Sequence, residues 1–172
     1  MKKTILVQTD LTVNSLNTVK VFFEKYASSE NTYDILLLTG YELPNSITDL
    51  LFISKSKILQ SVTAKEFREA LNIIKNKFDT QLNSARVDIF TGYTQAAFNQ
   101  SLELNEVDEI YTSNKLMFNR KLNHNCFSIT KLIRNSDREF REVDFENTTE
   151  MNYFYPTSIS SVFEGAAVPV NN

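Results

Sequence analysis

Apolar positions along the chain follow two rhythms in turn: short unbroken runs, and recurrences three and four residues apart. The first predicts strands covered on both faces, the second amphipathic helices. Thr4 to Thr9 (TILVQT) is the first run. After Asp10-Leu11-Thr12-Val13, the residues Leu16, Val19, Phe22, Phe23 and Tyr26 recur at helical spacing, with Asn14 or Ser15 available to cap the helix. Tyr33 to Thr39 (YDILLLT) is a second strand, closed by Gly40. Residues 41 to 60 are interrupted by Pro44, and Ser46-x-x-Asp49 suits the start of a short helix through Leu50, Leu51 and Phe52.

A capping box at Thr63-x-x-Glu66 predicts a longer helix with Phe67, Ala70, Leu71, Ile74 and Phe78 on one face. Arg86 to Thr91 (RVDIFT) is the third strand, closed by Gly92. Thr94 to Leu104 is a helix facing inward through Ala97, Phe98 and Leu102. Val107 to Thr112 (VDEIYT) is the fourth strand, residues 113 to 125 a polar loop, and Ser128 to Arg134 a last short helix. After Arg134 there is no Val- or Ile-rich run, and Phe140 to Phe145 is at best a charged substitute for a fifth strand.

Strand and helix alternate throughout. The fold class is therefore α/β, a doubly wound, mostly parallel sheet of four to five strands with helices on both faces. Such sheets bind ligands beyond the carboxyl ends of their strands, where the strand order switches. Those ends carry Thr9-Asp10, Thr39-Gly40, Thr91-Gly92 and Thr112-Ser113. The chain divides into an α/β domain over 1–145 and an extension over 146–172. Tyr153, Phe154, Tyr155 and Phe163 in the extension suit docking on the domain or on a partner subunit.

Composition narrows the function classes. In 172 residues, 42% hydrophobic and 23% charged, there is room for one core. A net charge of −3 with scattered bases does not suit a nucleic-acid binder. The apolar runs are too short for a signal-peptide core or a membrane span, and the single cysteine, Cys126, fits a reducing compartment, so the expected location is cytoplasmic. Glycine is scarce: only Gly40, Gly92 and Gly165 occur. Backbone loops that wrap phosphate ordinarily need it for close approach.

The opening Ile5-Leu6-Val7-Gln8-Thr9-Asp10-Leu11-Thr12, followed by Asn14-Ser15 and an amphipathic helix, resembles the first strand and turn of the universal stress proteins. Members usually have Pro where Gln8 stands, then Thr-Asp-Phe-Ser. The order of later elements is also similar to about residue 134, with Asp108 opening the fourth strand. The resemblance implies a homodimer and, in the nucleotide-binding branch, ATP in the switch-point cleft with Asp10 at its adenosine end. It also implies a glycine phosphate loop after the fourth strand. Here Ser113 and Leu116 stand for the first two glycines, Cys126 or Phe127 for the third, and Ser128 keeps the hydroxyl. ATP binding is accordingly expected to be weak or absent.

The candidate ligand cleft comprises Thr9, Asp10, Thr39, Gly40, Thr112, Ser113, Lys115 and Ser128, with Arg120 and Lys121 as further counter-charges. Asp10 has two readings, a ligand contact or a turn residue capping the first helix. Thr9, Thr12, Ser15 and Thr18 are similar to a flavodoxin hydroxyl loop, without a flavin-stacking pattern. His124 is the only histidine, so neither a zinc site nor paired-histidine adenylyl transfer is expected. Cys126 is either an inert small hydrophobe or, if it opens the last helix, an activated thiol. A receiver-type phosphoacceptor needs an Asp ending the third strand, where Phe90-Thr91 stand. No catalytic, metal or cofactor set emerges. The expected function is a non-catalytic stress-response or regulatory domain acting through dimerisation and protein contacts. The alternative is a small-ligand or nucleotide sensor using the same cleft.

Overall fold

The structure is a computed structural model that describes residues 1–118 and 125–145. In chain order it contains β1 (Lys2–Gln8), a 3₁₀ turn (Val13–Leu16), α1 (Asn17–Lys25), β2 (Thr32–Tyr41), α2 (Ile47–Phe52), α3 (Lys55–Val62) and α4 (Lys65–Lys77). There follow β3 (Leu82–Phe90), α5 (Gln95–Leu104), β4 (Glu109–Thr112), β5 (Cys126–Phe127), α6 (Thr130–Arg134) and β6 (Glu139–Glu142). The sheet order is β3-β2-β1-β4-β6, all parallel, with β5 antiparallel on the end of β2.

The two-residue period of a strand sends neighbouring side chains to opposite faces. Ile5 and Val7 of β1 and Ile35 and Leu37 of β2 join one cluster with Phe22 of α1, Ile58 of α3 and Phe67, Ala70 and Ile74 of α4. Leu6, Leu36 and Leu38 face the other way, onto Phe98 and Leu102 of α5 and Ile133 of α6. Both faces are thus covered, the doubly wound arrangement expected from the alternation. Burying each such Leu or Ile contributes about 1.5–3 kcal/mol, which is why central strands read as unbroken apolar runs.

Several local expectations are corrected. Thr63 does not open a capping box: it ends α3, its N–H donating to Leu59, and α4 starts after Ala64 without a side-chain cap. With α3 running to Val62, the backbone of Thr63 is already committed to that helix end. Neither Asn14 nor Ser15 caps the first helix: Thr12 caps the 3₁₀ turn, accepting from the Ser15 N–H, and α1 follows on from Leu16 with no side-chain cap. Ser46 and Thr94 do cap, accepting from Asp49 and Ala97. Gly40 lies inside β2 rather than closing it. Cys126 opens no helix; it lies in β5, and α6 begins at Thr130.

A fifth parallel strand exists after all. Glu139–Glu142 pairs with β4, and the Val143 N–H extends the ladder to the Thr112 carbonyl. As a short edge strand it needs no apolar run: Phe140 packs on the second cluster, while Arg141 and Glu142 stay exposed. The residue texture hid it for that reason. Among the described residues no helix is long and apolar enough to cross a membrane.

Candidate functional site

β1 is flanked by β2 on one side and β4 on the other, so the order switches beside it. The crevice outside its carboxyl end is therefore the expected ligand site. The structure brings Thr9, Asp10, Thr39, Gly40, Thr112, Ser113 and Ser128 to this end.

Asp10 is buried, and its carboxylate accepts from the Thr12 N–H at 3.0 Å, the Thr12 hydroxyl at 2.7 Å and the Met117 N–H at 2.8 Å. The first two contacts form the local turn; the third fastens the loop after β4 across the end of β1. The next residue, Leu11, has φ 63°, in the left-handed region that favours glycine. Its N–H is held by the Thr9 hydroxyl at 2.9 Å, and its side chain is buried. Thr9 and Ser15 share a hydrogen bond of 2.7 Å, and the Ser15 hydroxyl also reaches the Thr12 carbonyl. Of the hydroxyls read as flavodoxin-like, Thr9 and Ser15 thus bond to each other and Thr12 donates to Asp10, while the buried Thr18 hydroxyl has no partner among the described residues.

Gln8 is a residue that sequence reasoning passed over. It is fully buried, and its side-chain oxygen accepts from the hydroxyls of Thr112 at 2.6 Å and Thr130 at 2.9 Å. Its amide nitrogen donates to Ser128 at 3.2 Å. One amide thereby joins the ends of β1 and β4 to the start of α6. The available signal was a polar amide in an otherwise apolar strand, at the position where the resembling family has Pro.

Cys126 and Phe127 form β5 beside the end of β2. Gly40 pairs with Phe90 of β3 on one side and with Phe127 on the other. Since β1 stops opposite Leu38, β5 takes the place beside β2 that a longer β1 would have filled. A Cβ at Gly40 would lie 2.5 Å from the Phe127 ring and 2.7 Å from its carbonyl oxygen. Glycine is required here for space, not for positive φ. Tyr93 stacks on the outer side of Phe127 at 5.7 Å between centroids. Burial pushes the Cys126 thiol up to about 11, the Thr39 hydroxyl opposing and the Asp10 charge adding to the rise. It is an inert thiol at neutral pH.

The other predicted residues have partners within the chain. The Ser113 hydroxyl accepts from the Lys115 N–H at 3.1 Å, and the Lys115 ammonium lies 3.6 Å from Asp144. The Thr39 hydroxyl reaches the Gly40 carbonyl at 3.4 Å. Arg120, Lys121 and His124, and the aromatic extension, lie outside the described residues. A groove of about 440 Å³ lies at the opposite end of the sheet, between Lys2, Asp34, Arg86 and Asp108. Lys2, Asp34, Arg86 and Asp108 on its wall are already engaged: Lys2 with Asp34 at 2.7 Å, Arg86 with Asn105 at 2.7 Å, and Asp108 with the Thr4 N–H at 2.7 Å. Among the described residues no group of three His, Cys, Asp or Glu is placed to hold a metal ion.

The geometry defines a doubly wound α/β domain whose switch-point strand ends carry the Asp10 turn, the backbone of Met117 and β5. No family model matches the chain, and no curated protein matches it. Among solved structures it is similar to hypothetical protein MJ0577, at 19% identity over 85% of this chain and 98% of that one, with a TM-score of 0.53. It is also similar to a universal stress protein solved in complex with cAMP, at 15% identity over 84% and 98%, with a TM-score of 0.50. The fold is that of the universal stress proteins.

Proposed function

We propose that this chain is a non-catalytic regulatory domain of universal-stress-protein type, acting through dimerisation and protein contacts, with ATP binding weak or absent. The observation that carries this reading is β5. Phe127 lies against Gly40, in the crevice where a nucleotide would need room. The Asp10 carboxylate, the one group assigned to the adenosine end, is spent on Thr12 and Met117. A preformed nest of amides selects phosphate by geometry, and Leu116, Cys126 and Phe127 put side chains where glycines would have exposed the backbone. Titration calorimetry with ATP, ADP, AMP and cAMP is expected to give no heat of binding. Micromolar affinity for any of them would sink the reading. Native mass spectrometry is expected to show two copies; a monomer would remove dimerisation from it.

A second reading has support of its own. Thr9, Asp10, Thr39, Thr112 and Ser113 are buried polar side chains gathered at one crevice. Such a set suits a small polar metabolite admitted by movement of β5 and the 113–118 loop. A thermal-shift screen would then find a stabilising ligand whose effect disappears in Asp10→Ala.

A further inference from the structure

β3 lies at one edge of the sheet, and among the described residues β2 is its only strand neighbour. It has nine residues, against four in β6 at the other edge. The ladder decides which of its amides face outward. The Thr9 N–H bonds to the Leu38 carbonyl and the Tyr33 N–H to the Gln81 carbonyl, so even residues of β2 bond toward β1 and odd ones toward β3. Ala85, Val87 and Ile89 stand opposite Ile35, Leu37 and Thr39. In a parallel ladder, a residue opposite a bonded one turns its own N–H and carbonyl away from it. The outer edge of β3 is thus made of the amides of Ala85, Val87 and Ile89, and the Ile89 N–H is met by the carboxylate of Asp88 beside it, at 2.7 Å. A long edge of this kind is a template for another strand.

The side chains along this edge are complementary to themselves. Arg86 and Asp88 project from one face, while Ala85, Val87 and Ile89 project from the other, onto the cluster around Phe22 and Phe67. Two copies of β3 can pair antiparallel about a two-fold axis, and the charges decide where that axis falls. Centred on Arg86 or on Asp88, the pairing sets like charges directly opposite, which is destabilising. Centred on Ala85 or Ile89, it leaves Asp88 opposite Leu82 or Phe90. Centred on Val87, it sets Arg86 opposite Asp88 twice, Ala85 opposite Ile89, and Val87 opposite itself. Backbone parity agrees. Residues with outward amides make the hydrogen-bonded pairs, so Arg86 and Asp88 fall in the non-bonded pairs, where Cα atoms are about 4.5 Å apart and side chains closest.

We propose that the partner at β3 is a second copy of this chain, paired antiparallel over residues 84–90 about Val87. This deepens the dimerisation proposed above, and rests on it, by naming the edge and the register. In the single chain Arg86 is half exposed and donates to Asn105, and Lys55 of α3 lies 2.8 Å from Asp88. Pairing moves the Arg86 guanidinium from a neutral amide to a carboxylate, the stronger acceptor. The Asp88 carboxylate in turn gives up the Ile89 N–H to the Ala85 carbonyl of the second copy.

The test uses two charge reversals in the full chain, Arg86→Asp and Asp88→Arg, each checked for an unchanged fold by circular dichroism. Alone, each sets like charges opposite twice, and its dimer dissociation constant in sedimentation equilibrium is expected to rise about tenfold or more above the parent's. Mixed in equal amounts, the two variants are expected to form a one-to-one dimer with close to the parent's affinity. The carboxylate introduced at position 86 of one chain then faces the guanidinium introduced at position 88 of the other. Variants that dimerise as tightly as the parent overturn the β3 edge and leave dimerisation standing. A mixture no tighter than either variant overturns the register and the proposal with it; a monomeric parent overturns dimerisation as well. If a reversal does not fold, hydrogen exchange on the parent decides. The Ala85 and Val87 amides should exchange more slowly as concentration rises through dimer formation. Slowing at Glu139–Glu142 instead, or nowhere, overturns the proposal.

Discussion

At Gln8 a single buried amide meets three hydroxyl-bearing residues. Gln8→Ala leaves Thr112 and Thr130 without that acceptor, and a loss of about 1–3 kcal/mol is expected in urea unfolding. Gly40 makes an opposite demand, for emptiness. Gly40→Ala forces a methyl into Phe127, and overpacking of this kind costs about 1–3 kcal/mol. The same variant should free the thiol beside Phe127. In the native chain Cys126 should react slowly with a disulfide reagent at neutral pH, since burial holds its pKa at about 11; Gly40→Ala should speed the reaction without unfolding the protein. Equal rates in both would mean that β5 does not depend on Gly40. Neither role was readable from residue type. Gln8 stood out only as a departure from Pro, and Gly40 looked like a strand terminator until its neighbour was known.

Between elements, the Asp10 carboxylate is the tie that matters most for the crevice. It holds the Met117 N–H, and with it the loop that leaves β4. Asp10→Ala should raise the hydrogen-exchange rate of the Met117 amide and of its loop neighbours far more than the amides of Ile5 to Val7, which sit in the sheet core. If Met117 exchanged no faster, the loop would be held by other contacts. Of the two roles open to Asp10 in the sequence, the turn is present: its carboxylate bonds to Thr12, and Thr12 does the capping. The element pattern itself was legible because Ile5, Leu6 and Val7 of β1, and Ile35, Leu36 and Leu37 of β2, are buried on both faces of the sheet. That demand leaves an unbroken apolar run. β6 was not legible, because an edge strand of four residues with one half-buried Phe imposes almost no pattern.

Over the whole molecule, two carboxylates at the amino-terminal end of the sheet, Asp34 and Glu109, are expected to contribute to the loss of stability in acid. Desolvation pushes Asp34 upward, but hydrogen bonds from Lys2, Ser84 and Asn83 outweigh it and hold the carboxyl below its usual value. Desolvation likewise raises Glu109, and Lys3 and Tyr111 more than reverse it. A group with a lowered folded-state pKa contributes stability above its unfolded pKa and loses it as pH falls through the folded value. The melting temperature should therefore drop as the pH goes below the ordinary carboxylate range, and Asp34→Asn should flatten that drop. A variant with the parent's slope would show that the Lys2–Asp34 pair is too exposed to count. The alternation of elements, the two buried faces of the central strands and the lack of glycine where a phosphate loop would run were all determined by the sequence alone, because periodicity and residue size act locally. Tertiary structure alone decided that β5 lies in the place of a longer β1, that Gln8 joins three elements and that Asp10 holds a backbone N–H 107 residues away. Those depend on which strand ends meet at the switch point, and no short stretch of residues encodes that meeting.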